Sequence, residues 1–104
     1  MTYEEKCALA RTGDVSKEAA AARLIAARHA IGLSQKTLGE QAGITKAAVN
    51  NSERARSYPG REVLIYLYRE HRIDLNFTMY GTFTQLPADV QDKIFDALAA
   101  EGSA

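Results

Sequence analysis

A chain of 104 residues, 46% of them hydrophobic and with a net charge of zero, is long enough to bury one modest core without cross-links. Its single cysteine, Cys7, excludes an intramolecular disulfide and a multi-cysteine metal site. The opening MTYEEKCALARTG is charged and lacks a secretory h-region, and no apolar run is long enough to span a bilayer, so a cytoplasmic protein without membrane contact is expected.

The zero total conceals an asymmetry. Residues 11–73 hold eleven Lys or Arg against six Asp or Glu, whereas residues 74–104 hold Lys93 against five acids. A basic stretch followed by an acidic one is compatible with a polyanionic partner, although the total alone argues against it.

In chain order, residues 1–13 form an ambiguous N-terminal segment in which Tyr3 to Ala10 can make a short helix, interrupted at Gly13. Asp14 or Ser16 can cap a first long helix running to about Ala30, with Ala20, Leu24, Ala27 and Ile31 as its inward stripe. Ser34 caps a second helix to about Ala42, and Gly43 ends it. Ile44 is an apolar anchor, and Thr45 caps a third helix over about Lys46 to Arg54. Its inward face is thin, with Ala48, Val49 and then Ser52, while Lys46, Ala47, Asn50 and Asn51 make a small or polar outer face. Pro59 and Gly60 mark a turn.

A fourth helix is expected from Arg61 to about His71, with Val63, Leu64, Leu67 and Tyr68 inward. A short fifth follows from Asp74 to Tyr80, drawing its apolar mass from Leu75, Phe77 and Met79. After a linker, Pro87 opens a sixth helix to about Ala100. With no period-two run, the class is all-α: a five-helix unit over residues 14–81, then a linker and C-terminal helix over residues 82–104.

Two short helices joined by a tight glycine turn, the second carrying hydrogen-bonding side chains outward, have the helix-turn-helix layout, in which the second helix enters the DNA major groove. From Arg23 to Gly81 the chain resembles the lambda-repressor-like helix-turn-helix domains, also called the Cro/C1 or XRE type. Five features carry the resemblance in order: RLIAARHAIGLSQ, LGEQAGIT, VNNSER, Pro59 and IDLNFTMYG.

The resemblance implies that Lys46, Ala47, Asn50 and Asn51 read bases. The residue types suit that role: Lys46 can donate to guanine, an Asn can pair with adenine, and Ala47 can meet a thymine methyl. Ser34, Gln35 and Thr45, at helix starts, would hold phosphates together with the helix amides. Arg54, Arg56 and Arg61, with Tyr58 beside them, fall where the family places backbone contacts. Arg28 and Glu53 are implied to form a structural salt bridge between the first and third helices.

Three positions depart from the family pattern. Gly39 stands where alanine is common, at about 1 kcal/mol in helix propensity. Ala55 replaces a glycine, so that a left-handed cap there is strained or the helix runs on. Ser52 replaces a bulky apolar residue, leaving a smaller core or a partner from elsewhere.

The expected function is a sequence-specific transcriptional regulator that binds double-stranded DNA at a palindromic operator as a homodimer. Val90, Ile94, Phe95, Ala97 and Leu98 give the sixth helix more apolar width than a lone surface helix can expose, and a dimer contact there is expected. Two alternatives are an antitoxin that also covers a toxin protein and a helical interaction module without DNA binding. No cofactor, metal or enzymatic activity is expected, because His29 and His71 lack ligands at metal spacing and no nucleophile motif is present.

Overall fold

The computed structural model describes residues 1–102, all helix, turn or irregular, with no strand among them. The last two residues of the C-terminal segment lie outside the described residues. The N-terminal segment opens with α1, Tyr3–Ala10. Thr2 Oγ1 accepts from the Glu5 N–H at 3.1 Å and Glu5 Oε1 accepts from the Thr2 N–H at 3.0 Å, a reciprocal capping box. Helix α1 ends at Arg11, which is left-handed with φ 52°.

Ser16 is the cap of α2, Lys17–Ala30, and accepts from the Ala19 N–H at 3.1 Å. Asp14 instead shapes the approach by accepting from the Ser16 N–H at 2.9 Å. Ala19, Ala20, Ala21, Arg23, Leu24, Ala26 and Ala27 are all buried, so α2 is covered on most sides and is the central helix. Its small alanine side chains let α4 (Lys46–Glu53), α6 (Ala88–Gly102) and the Asn76–Tyr80 turn pack closely around it.

Arg23 is wholly buried, and among the described residues it has no carboxylate partner. Its guanidinium donates instead to three carbonyls, those of Ala10 at 2.8 Å, Arg11 at 2.6 Å and Asp14 at 2.7 Å, and so completes the C-terminal end of α1. Gly81, at φ +84°, closes the other side, where a Cβ would stand 2.7 Å from the Ala10 carbonyl and 2.8 Å from the Arg23 guanidinium.

Helices α3, Gln35–Ala42, and α4, Lys46–Glu53, are joined by the turn Gly43, Ile44 and Thr45. Helix α5, Arg61–His71, follows, and its inward residues are Val63, Leu64 and Leu67. Tyr68, expected inward, is 58% exposed, and Leu75, expected to supply apolar mass to the next helix, is 49% exposed. That next element is a π-helical turn, Asn76–Tyr80, started by Asp74 accepting from the Phe77 N–H at 2.9 Å. The wider turn buries Phe77 and Thr78 and leaves Leu75 outside, at the turn's edge.

Helix α6, Ala88–Gly102, follows Pro87 and packs on α2 and α1. Here the expectation for the C-terminal residues is corrected. Val90, Ile94, Phe95 and Leu98 are buried within the chain itself, and Ala97 is half-buried against the same core. Phe95 meets Phe83 edge-on with ring centroids 5.0 Å apart, while Lys6 of α1 holds its ammonium 5.3 Å from the Phe95 ring centre. The apolar width read as a dimer face is covered by the protein's own first two helices. Segments 1–13 and 82–104 also contribute Ala10, Phe83 and Leu86 to the core around Leu24, Leu38 and Val49, so the 14–81 stretch shares one core with both.

Candidate functional site

The α3–turn–α4 stretch is built from three local devices. Ser34 accepts from the Thr37 N–H at 3.1 Å and starts α3; Thr45 accepts from the Ala48 N–H at 3.0 Å and starts α4. Gly39 is the third. A Cβ at that position would lie 2.8 Å from the Ile44 carbonyl oxygen and 3.2 Å from the Thr45 carbonyl carbon, both backbone atoms. The glycine therefore lets the turn close against α3, which corrects the reading of it as a loss of helix propensity alone.

On α4, Val49 and Ser52 are buried, whereas Lys46, Ala47 and Asn51 are exposed and Asn50 is half-buried. Positions 46, 47, 50 and 51 thus share the outer face. The Ser52 hydroxyl has two carbonyls within reach, Ala48 of its own helix at 3.2 Å and Tyr58 of the following loop at 3.4 Å. Helix α4 stops at Glu53, and Ala55 takes the left-handed conformation at φ 58°, a position that costs a non-glycine residue about 1–2 kcal/mol.

Arg28 and Glu53 meet in a bidentate pair, Nε to Oε2 at 2.6 Å and the second nitrogen to Oε1 at 2.9 Å, with side chains only 13% and 5% exposed. The remaining Arg28 nitrogen donates to the Leu33 carbonyl at 3.0 Å, so one guanidinium ties α2, the α2–α3 turn and the end of α4 together. Gln35 joins this network. Its amide donates to Glu53 Oε1 at 3.1 Å and to Asn50 Oδ1 at 3.4 Å. The side chain expected to hold a phosphate is thus committed to α4, and at the start of α3 the backbone amides remain the outward donors. No one-dimensional pattern signals the link from Gln35 to Asn50 and Glu53, because it depends on how two helices cross.

The loop after α4 carries Arg54, Arg56 and Arg61, all exposed. Arg56 reaches Asn51 Oδ1 at 3.4 Å, setting a guanidinium beside an outer-face amide. Tyr58 donates its hydroxyl proton to the Val15 carbonyl at 2.8 Å, so it fastens the loop to the turn before α2 instead of presenting a free donor. The result is an outward surface of one lysine, three arginines and two asparagines, on which the acid nearest α4's end, Glu53, is neutralised from inside by Arg28. Such a surface can donate to anionic oxygens and can pair with flat donor–acceptor edges.

Among the described residues, no three His, Cys, Asp or Glu side chains gather as a metal site, and no helix is long and apolar enough to cross a membrane. No family model, curated protein or solved structure matches the chain.

Proposed function

We propose that this chain is a sequence-specific DNA-binding regulator of the lambda-repressor-like helix-turn-helix kind, with α4 as its reading helix. The supporting observation is the α4 surface itself: Lys46, Ala47, Asn50 and Asn51 on one outer face, anchored from behind through Glu53, Arg28 and Gln35. A reading helix has to be held in place while its reading side chains stay accessible; Arg28 and Gln35 hold the end of α4, and Lys46, Ala47 and Asn51 are exposed while Asn50 is half-buried under Gln35. The arginines that follow it supply positive charge where the backbone of a duplex would pass. An α-helix with its side chains is about 10–12 Å across, which fits a major groove about 12 Å wide.

Selection of bound duplexes from a random pool at low salt tests the reading. Enrichment of a short common sequence, lost when Lys46 and Asn51 are both replaced by alanine, is the expected result. Failure to retain any duplex at high micromolar protein would overturn it. The selected sequence also reports symmetry: a palindrome would mean two copies meeting through a surface other than the buried face of α6.

A further inference from the structure

The last turn of α6 carries a carboxyl group with one oxygen that no hydrogen bond among the described residues serves. Glu101 Oε1 is fully enclosed and has no hydrogen-bond partner among the described residues. The side chain as a whole is 24% exposed. Every element packed around it presents a charge. From α2, His29 Nδ1 stands 3.6 Å from Oε1, too far for a good hydrogen bond, and Arg28 has all its nitrogens committed to Glu53 and Leu33. From α4 comes the carboxylate of Glu53, and from the turn after α1 comes the exposed Arg11. Helix α6 has no basic residue in its last turn, so a negative charge there also meets the negative end of the helix dipole.

We propose that the last turn of α6 is a proton-dependent latch, docked on α2 beside the Arg28–Glu53 pair while Glu101 is neutral and released when Glu101 ionises. A neutral carboxyl brings its own donor and loses little by enclosure; a carboxylate enclosed without donors, near Glu53, is unfavourable. The Glu101 carboxyl is accordingly raised to about 7 from its ordinary 4.5, first by burial and then by Glu53, with Arg28 and Arg11 opposing. The docked form therefore binds more protons than the released form between these two values. Docking is strongest below about pH 4.5, weakens by up to about tenfold per pH unit as pH rises toward 7, and then levels off. Glu101 lies within electrostatic reach of the pair that anchors α4, so its ionisation changes the charge beside that pair. The latch does not depend on what α4 binds.

The test uses the full chain without any ligand. Carboxyl-carbon NMR should show Glu101 titrating near pH 7, and the amide signals of Leu98 to Glu101 should move over the same range. Glu101→Gln should hold those amides at their low-pH positions throughout. His29→Gln should keep the transition, because Glu101 is the group that titrates. A Glu101 midpoint near 4.5, an unchanged transition in Glu101→Gln, or its disappearance in His29→Gln would each overturn the latch.

Discussion

Asn51 and Arg56 lie 3.4 Å apart yet should behave differently as DNA contacts. Replacing Asn51 with alanine should relax base preference at one or two positions, at about 1–3 kcal/mol on the preferred site. Replacing Arg56 should weaken all sequences alike and lower the log–log salt slope by roughly 0.9 if one phosphate contact is lost. Binding titrations on preferred and scrambled duplexes at several salt concentrations separate the two. Arg28 and Glu53, by contrast, should act on stability. Removing either leaves a largely buried charge unpaired, a loss of about 3–5 kcal/mol. A double-mutant cycle by urea denaturation should give strong favourable coupling, and coupling near zero would mean the pair adds nothing beyond its separate side chains. Gly39→Ala sets two effects against each other. Helix propensity alone would stabilise by about 1 kcal/mol. Backbone atoms at 2.8 and 3.2 Å cannot yield as a side-chain tip can, so a net destabilisation of about 1–3 kcal/mol is expected. The same denaturation experiment gives its sign.

At the scale of elements, what was legible in the sequence is what short-range chemistry decides. Ser16, Ser34, Thr45, Gly43 and Gly81 mark helix ends because capping and left-handed termination are made within a few residues. The outer and inner faces of α4 were legible for the same reason, through a period of 3.6. Partners across the fold were not. The stripe on α6 says that the helix needs a cover but not whose surface provides it, and the cover proved to be α2 and α1 of the same chain. Arg23 lies three residues from Ala20 and four from Ala27, on the buried side, but nothing local shows that three carbonyls wait for it. Leu75 is an apolar residue at inward spacing that remains exposed because the π-turn directs Phe77 inward instead, and Tyr68, also at inward spacing, is exposed beside it. Because α6 is core, Ile94→Ala should lower stability by about 2–5 kcal/mol, measured by thermal or urea unfolding, with no change in sedimentation.

Over the whole molecule, the ends of the chain complete what the middle begins. Truncation after Gly81 would strip Phe83, Leu86, Val90, Ile94, Phe95 and Leu98 from the core and expose the alanine face of α2. The shortened chain should lose its cooperative unfolding transition, as followed by circular dichroism; a sharp transition would show that the earlier helices suffice. The charge asymmetry has a counterpart in the fold. Acidic Asp89, Asp92 and Asp96 project from α6, with Asp89 paired to Arg72 at 2.6 Å, while the arginines after α4 remain exposed. A duplex should therefore meet the protein on the α3–α4 side. The most direct measurement is amide NMR of the labelled full chain titrated with a mixed-sequence duplex at low salt. The expected result is movement concentrated at the start of α3, at residues 45–51 and along the loop to Arg61, fading as salt is raised. Movement confined to α6, or none at all at millimolar duplex, would contradict α4 as the DNA-reading element.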